Sequence, residues 1–130
     1  MDLRSVKLFA GMPEGDLKKI AQQMREVRHA EGAEIAVLGR GGVGFMVILD
    51  GTAEVTTSDG RKRVLGAGDH FGEMALLDQG GRSATVRATT DLVLAAIPEW
   101  HFKPLLIEHP EVAYRLLQEL SRRVREAEAR

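Results

Sequence analysis

The chain has 130 residues and a formal net charge of −1, which fits one globular domain with a hydrophobic core of its own. Hydrophobic residues make up 44% of it and charged residues 28%, values that exclude disordered, collagen-like and disulfide-scaffold proteins. The near balance of charge argues against a nucleic acid as a direct partner, and the absence of cysteine excludes a thiolate nucleophile and a cysteine-ligated metal.

Membrane-spanning and secretory segments are not indicated by the sequence. The longest apolar runs, such as residues 45–49, are far shorter than the roughly 18 residues that a transmembrane helix requires. Residues 1–8 mix charged and apolar side chains and lack the apolar run and cleavage site of a signal peptide. We therefore expect a cytoplasmic protein with no membrane partner.

The N-terminal part, residues 1–25, is expected to be helical. A helix is predicted from Pro13, because proline and the acidic residues that follow it are favoured in a first helical turn. Its apolar face follows the i, i+3, i+4, i+7 spacing of a helix and consists of Leu17, Ile20, Ala21 and Met24.

Residues 26–97 are expected to be all-β, because short β-rich runs alternate there with glycine-containing turns. The Asp59-Gly60 pair is the clearest hairpin turn, since it suits the positive φ angles of a type I′ turn. The predicted strands recur at the rhythm of a sandwich, barrel or jelly roll and lie near 34–38, 45–49, 53–58, 61–65, 84–89 and 92–97.

Residues 98–130 return to a helical pattern, with a short helical segment followed by a longer helix from Pro110. Glu119 and Arg123 form an i,i+4 ion pair outside the apolar face of the longer helix. That face is predicted to consist of Val112, Leu116, Leu117, Leu120, Val124 and Ala127. Its last four members also fit an a/d seam, which is too short for a coiled coil.

A glycine-rich loop at residues 66–85 interrupts the strand pattern and contains the parts of an anion site. Gly72 lets the backbone approach a ligand closely, and a helical turn after it would point free N–H groups at a phosphate. The planar guanidinium of Arg82 matches two phosphate oxygens. Glu73 would repel an anion unless it accepts hydrogen bonds from neutral donors such as sugar hydroxyls. Phosphate plus ribose is therefore the simplest ligand that uses both side chains.

The same loop resembles a known motif. Residues 71–77 read Phe-Gly-Glu-Met-Ala-Leu-Leu, and Arg-Ser-Ala-Thr follows at 82–85. This pattern is similar to the phosphate-binding cassette of the cyclic nucleotide-binding domain family, which includes protein kinase A regulatory subunits, catabolite-activator regulators and gated channels. Glycine and apolar positions similar to those that precede the cassette in the family are Gly39, Gly42, Phe45, Val47, Ile48 and Gly51.

The resemblance implies a mainly β fold for a single domain that spans residues 1–130. The expected architecture is an antiparallel β jelly roll (double-stranded β-helix) with an N-terminal helix and two C-terminal helices. The phosphate-binding cassette is expected at residues 71–85 of this domain.

The resemblance also implies the ligand contacts. Glu73 would accept a hydrogen bond from the ribose 2′-hydroxyl, and Arg82 would pair with the cyclic phosphate. Backbone N–H groups near Ala75 and Ser83 would complete the phosphate cradle. The ligand-binding residues expected on this basis are Gly72, Glu73, Met74, Ala75, Arg82, Ser83 and Ala84, with a lid formed by Arg123, Val124 and Ala127.

The base of the nucleotide is less constrained by the motif. Ala127 and Glu128 stand where catabolite-activator regulators carry a purine-facing Thr-Ser pair, and Ser83 is compatible with both cyclic AMP and cyclic GMP. Arg40 and Val43 stand where acidic residues are common in the family. We expect cyclic AMP, the commoner ligand among bacterial-looking members, with cyclic GMP as the second choice.

Neither a metal nor a catalytic role is expected. His70 and Glu73 have the i,i+3 spacing of a metal pair, but the other histidines are scattered singly. The sequence contains no Walker loop, no nucleophile elbow and no recognisable pair of catalytic carboxylates. A small hydrolase or a metal-dependent jelly-roll enzyme is therefore only a third interpretation.

The expected function is that of a regulatory sensor domain, which relays the bound nucleotide by movement of its C-terminal helices. Its effector is expected to be a separate protein or an effector domain missing from this chain, and the C-terminal helix offers a surface for a homodimer. The alternative is a degenerate member of the family that serves as a nucleotide-independent interaction or dimerisation module.

Overall fold

Two antiparallel sheets form the centre of the computed structural model, which describes residues 1–36, 44–77 and 84–129. The strands are β1 (Arg25–His29), β2 (Glu34–Ala36), β3 (Gly44–Asp50), β4 (Ala53–Thr57), β5 (Lys62–Leu65), β6 (His70–Phe71), β7 (Ala84–Ala88) and β8 (Leu92–Pro98). One sheet has the order β1-β8-β3-β6 and the other the order β2-β7-β4-β5. Strands far apart in sequence are thus neighbours, as a jelly roll requires.

The strands predicted from the sequence correspond to β2, β3, β4, β5, β7 and β8. The predicted strand at 34–38 lies partly outside the described residues, and Gly39, Arg40, Gly42 and Val43 lie wholly outside them. The sequence pattern does not predict β1 or β6. β1 reads Arg-Glu-Val-Arg-His because it is an edge strand, where charged side chains face solvent and oppose further pairing.

Four helices and a 3₁₀ turn flank the sheets in the described part of the chain. The turn covers Lys7–Phe9, and the helices are α1 (Glu14–Gln22), α2 (Glu73–Leu77), α3 (Glu99–Glu108) and α4 (Pro110–Glu128). A proline stands at or just before the start of α1, α3 and α4, where a backbone N–H would have no helical acceptor. The jelly roll with one N-terminal and two C-terminal helices is confirmed. Among the described residues, no helix is both long and apolar enough to cross a bilayer.

β3 separates two hydrophobic clusters, because its side chains alternate between the two faces of its sheet. Phe45 and Val47 point into the cluster beneath the helices, and Met46 and Ile48 point into the cluster between the sheets. Both faces are therefore buried, which explains why β3 reads as one continuous apolar run. The first cluster also holds Val6, Phe9, Ile20, Ile97, Phe102, Leu105, Val112 and Leu116, and the second holds Val55, Leu65, Phe71, Val86, Leu92 and Leu94.

The N-terminal 3₁₀ turn connects α4 with the loop that leads into β6. The backbone N–H of Lys7 donates to the carbonyl of Gly68 at 3.0 Å, and the Lys7 ammonium lies 2.6 Å from the carboxylate of Asp69. Arg115 of α4 donates to the carbonyl of Leu8 at 3.1 Å. The turn therefore fixes both the start of α4 and the approach to β6.

α4 buries a narrower apolar face than the sequence pattern predicts. Val112 and Leu116 are buried in the cluster beneath the helices, and Leu120 packs at its margin. Leu117 and Val124 are 64% and 54% exposed instead. They project roughly 90° around the helix axis from Leu116, so the predicted face divides into a buried stripe and an exposed stripe.

Candidate functional site

A cavity opens between the inner face of the β2-β7-β4-β5 sheet and α2, and α4 contributes one side chain to its wall. The sheet supplies a mostly apolar wall, and the β6–α2 segment supplies backbone groups and a carboxylate. The residues that line the cavity are Ala36, Val55, Arg63, Phe71, Gly72, Glu73, Met74, Ala75, Ala84, Val86 and Arg123. An apolar surface facing a few polar groups is the usual composition of a small-molecule site.

The turn between β6 and α2 places Glu73 inside the cavity. Gly72 has a φ of 97°, a conformation that favours glycine, and it lets α2 begin directly after the strand. Glu73 is the first residue of α2 and is only 1% exposed. A carboxylate buried to this extent requires positive charge or hydrogen-bond donors close by.

An ionic cluster of His70, Glu73, Glu119 and Arg123 meets this requirement. Arg123 of α4 donates from Nη1 to Oε1 of Glu73 at 2.5 Å and from Nη2 to Oε1 of Glu119 at 2.8 Å. Nε2 of His70 lies 2.5 Å from Oε2 of Glu119, and its Nδ1 lies 3.5 Å from Oε2 of Glu73. The two cations and the two carboxylates thus form a closed ring that joins β6, α2 and α4.

The ring shifts the pKa values of its members. Burial alone would lower the pKa of His70, but the hydrogen bond to Glu119 and the nearby carboxylate of Glu73 outweigh it and raise the pKa to about 9. The hydrogen bond from His70 lowers the pKa of Glu119 to about 2. Burial opposes ionisation of Glu73, yet His70 and Arg123 hold its pKa below the usual value. All four groups are therefore charged at neutral pH, and their charges balance.

The structure brings together most of the described residues predicted for the site. Gly72, Glu73, Met74, Ala75, Ala84 and Arg123 line the cavity. Val124 and Ala127 of the predicted lid are exposed and do not line it. Arg82 and Ser83 lie outside the described residues, so their positions stay predictions.

Three site residues are missed by sequence reasoning: His70, Glu119 and Arg63. From the sequence, His70 is a candidate only for a metal pair, and Glu119 only for an ion pair on the outer surface of a helix. The pair of Glu119 with Arg123 exists, but it is partly buried against His70 and Glu73 instead of lying on the outer surface. The i,i+3 spacing of His70 and Glu73 is the one local signal that could have placed these two side chains together.

The chain matches the family model described as the cyclic nucleotide-binding domain over residues 26–109. This match covers more than half of the chain and includes both sheets and α2. The chain therefore belongs to the cyclic nucleotide-binding domain family, and the resemblance seen in the cassette is confirmed.

Individual relatives agree with this assignment. The chain is 34% identical over 106 residues to a cAMP-dependent protein kinase regulatory subunit of Colletotrichum orbiculare, which covers 80% of this chain and 27% of that protein. The crystal structure of the Thermus thermophilus catabolite activator protein matches with a TM-score of 0.83 and 31% identity, over 94% of this chain and 60% of that one. The regulatory domain of Toxoplasma gondii protein kinase A, solved with cAMP, matches with a TM-score of 0.81 and 30% identity, over 92% of this chain and 47% of that one. The chain thus spans only part of each of these proteins.

Removal of Arg123 should destabilise the fold, because Glu73 would remain buried with one long contact to His70. Breaking one side of a buried ion pair typically costs 3 to 5 kcal/mol, so we expect Arg123→Met to lower the free energy of unfolding by about 3 kcal/mol. Arg122 pairs with Glu126 at 2.9 Å on the exposed surface, and Arg122→Met should cost less than about 0.5 kcal/mol. Urea unfolding at pH 7 compares the two variants, and equal losses would contradict the role of the ring.

The stability of the ring should also depend on pH through His70. Its pKa of about 9 in the folded chain lies above the ordinary value of 6.5. The stabilising contribution of the imidazolium is therefore complete below pH 6.5 and is lost as the pH rises through 9. Relative to His70→Gln, the unaltered chain should lose up to about 3 kcal/mol of unfolding free energy between neutral and strongly alkaline pH. Urea unfolding across this pH range tests the prediction. Parallel curves of unfolding free energy against pH for the two proteins would contradict it.

Proposed function

We propose that this chain is a regulatory domain that binds a cyclic nucleotide in the cavity and relays its presence through α4. The observation that carries the proposal is Glu73, an ionised carboxylate that is 1% exposed at the cavity wall of a member of the cyclic nucleotide-binding domain family. Perturbed ionisable groups in a cavity are concentrated at functional sites. The proposed class of ligand carries a ribose hydroxyl, a neutral donor from which an ionised carboxylate can accept a hydrogen bond.

Glu73 has acceptor capacity for a ribose hydroxyl beyond its contacts in the ring. An ionised carboxylate offers about four lone-pair sites. Arg123 donates to Oε1, and His70 makes only a 3.5 Å contact with Oε2. Because Arg123 and His70 keep Glu73 ionised, the carboxylate can only accept, and a 2′-hydroxyl that donates to it would be held away from water.

The phosphate is assigned to Arg82 on the basis of the cassette motif. A guanidinium at this position of the motif pairs with two oxygens of the cyclic phosphate, and backbone N–H groups near Ala75 and Ser83 complete the cradle. Family membership supports these roles, and they stay predictions. The proposed ligand thus spans Glu73 with its ribose and Arg82 with its phosphate.

Cyclic AMP is the proposed ligand, with cyclic GMP as the alternative. The fungal relative is named a cAMP-dependent protein kinase regulatory subunit, and the Toxoplasma gondii neighbour was solved with cAMP. Both names support cyclic AMP for this chain through common membership of the family.

The relay to α4 follows from which elements contribute to the ring. Glu119 and Arg123 both belong to α4, and Arg123 shares Glu73 with the proposed ribose hydroxyl. A nucleotide that donates a hydrogen bond to Glu73 changes the contacts that hold α4 in place. If the nucleotide binds more tightly to the domain with α4 in one position than in another, it shifts the population toward that position. The effector that responds is proposed to be a separate protein or a domain outside this chain.

Replacement of Arg82 by alanine should weaken nucleotide binding at least about tenfold, because it removes charged hydrogen bonds to the phosphate. Titration calorimetry with cyclic AMP and cyclic GMP in parallel measures the effect. Arg87→Ala is the matched control, since Arg87 is an exposed arginine that pairs with Glu34 at 2.7 Å outside the cavity lining. Unchanged affinity in Arg82→Ala would contradict the site, and no binding by the unaltered chain would favour the nucleotide-independent interaction module.

The exposed stripe of α4 is proposed as the surface of a homodimer. It consists of Tyr114, Leu117 and Val124, each more than half exposed on a helix whose other face is buried. In a symmetric dimer the same surface of both copies forms the contact. The exposed stripe of one α4 would then be covered by the exposed stripe of the other.

Substitution of Leu117 by glutamate should abolish this dimer, because the contact would bury a charge. Sedimentation of the unaltered chain across a concentration series should show an increasing mass, and Leu117→Glu should stay monomeric. Ile107→Glu, which changes a residue of α3 that is 67% exposed, is the matched control and should still associate. A monomer at all concentrations, with and without nucleotide, would contradict the dimer.

A further inference from the structure

Three side chains meet at the corner between α3 and α4, away from the cavity. They are Asp16 of α1, His109 between the two helices and Glu111 in the first turn of α4. One ligand atom of each lies within 4.8 Å of the ligand atoms of the other two. Nδ1 of His109 is 3.8 Å from Oε1 of Glu111. The cluster thus joins one imidazole and two carboxylates, side chains that divalent metal ions bind.

The backbone of His109 is fixed by both helices of the corner. Its N–H donates to the carbonyl of Leu105 at 2.9 Å, and its carbonyl accepts from the N–H of Val112 at 2.9 Å. Pro110 follows with a φ that its ring restricts. His109 therefore ends α3 and begins α4, and its side chain starts from a well-defined position.

The imidazole of His109 is buried without a hydrogen-bond partner. Its side chain is only 9% exposed, so water has restricted access to the ring. In the described part of the chain no group forms a hydrogen bond with either ring nitrogen, and the 3.8 Å contact with Glu111 is too long for one. Buried polar groups normally have partners. A metal ion at Nδ1 would supply one.

The two carboxylates can turn toward the imidazole. Neither Asp16 nor Glu111 has a side-chain hydrogen bond to any other described residue. Each stands directly before a residue buried in the cluster beneath the helices, Leu17 and Val112, so the backbone is anchored while the carboxylate lies nearer the surface. The ligand atoms of a four-coordinate zinc ion lie about 3.4 Å apart, a separation that rotation of these two side chains can reach.

We propose that Asp16, His109 and Glu111 form a site for a divalent transition-metal ion, with zinc as the best match. Zinc accepts imidazole nitrogen and carboxylate oxygen together, whereas Mg²⁺ and Ca²⁺ favour ligand sets of oxygen alone. With a neutral imidazole, which metal binding requires, the two carboxylates balance the charge of the ion. Three protein ligands leave the fourth position to water.

The bound ion fastens α1 to the corner between α3 and α4. Apolar contacts within the cluster beneath the helices already hold these elements together, and the ion adds a polar link at the margin of that cluster. The sequence draws attention to His70 and Glu73 as a metal pair, but the ionic ring engages both of them. None of the three proposed ligands lines the cavity, so the metal site does not depend on the proposed nucleotide function.

Calorimetric titration of the full chain with zinc, after dialysis against a chelator, tests the site. We expect one ion per chain. Asp16→Asn and Glu111→Gln keep the size of the side chain and remove its charge, so each should weaken zinc binding at least about tenfold. His101→Gln is the matched control, because His101 lies on α3 outside the cluster and its loss should leave the affinity unchanged.

Thermal unfolding gives a second measurement. At a free zinc concentration one hundred times the Kd, the unfolding midpoint of the unaltered chain should rise by about 10 °C, because the ion binds the folded form. In Glu111→Gln the rise at the same concentration should be about half of this or less. Mg²⁺ at that concentration should leave the midpoint unchanged, since imidazole is a poor ligand for it.

Three results would overturn the proposal. Equal zinc affinity in the unaltered chain, Asp16→Asn and Glu111→Gln would show an adventitious ion only. Absence of zinc binding to the unaltered chain would exclude the site directly. An equal rise of the midpoint with Mg²⁺ would show that His109 is not a ligand. Titration of the same proteins with cyclic nucleotides reports on the cavity separately, so failure of one proposal leaves the other standing.

Discussion

The contact between Glu73 and Arg123 is the interaction on which the arrangement of the site depends. A carboxylate that is 1% exposed must have compensating charge, and that charge comes from α4 and β6 instead of from its own helix. α4 has to dock where Arg123 can reach Glu73, and β6 has to present His70 from the other side. The position of the cavity, between the sheet and these groups, follows from this requirement.

α4 is held by two different kinds of interaction along its length. Its first half packs through Val112 and Leu116 into the cluster beneath the helices, and Arg115 anchors it to the N-terminal turn. Its second half leaves Val124 exposed and is fixed by the charges of Glu119 and Arg123. A polar ligand does not change the strength of apolar packing elsewhere in the fold, but it can change the strength of an ionic contact at its own site. A ligand at Glu73 can therefore act on the second half of α4 while the first half stays in place.

The sequence predicts those features that depend on local periodicity. The apolar run of β3, the prolines before the helices and the Asp59-Gly60 turn identify the architecture, and the spacing of Glu73 within its motif identifies the family. β1 is not predicted, because an edge strand carries charged residues where a central strand carries apolar ones.

The ring of charges is not predicted from the sequence for a different reason. Its bond between His70 and Glu119 joins residues 49 positions apart, and only the tertiary fold brings them together. The local spacing of Glu119 and Arg123 reveals that the two side chains meet, but it does not reveal which way the pair faces. The face of the sheet on which Arg63 lies likewise depends on strand register, because a one-residue slip would move its side chain to the opposite face.

The wall of the cavity is assembled from residues that lie between positions 36 and 123 of the chain, on both sheets and two helices. A fragment that lacks β2 or α4 would lose part of this wall, so occupancy of the cavity is linked to folding of the chain from β2 to α4. A ligand that binds only the folded form lowers the population of unfolded chains, which are the substrates of proteases. A domain with bound ligand would then be degraded more slowly than one without ligand. The amount of the protein would therefore rise with the ligand concentration, over a longer time than a helix needs to move.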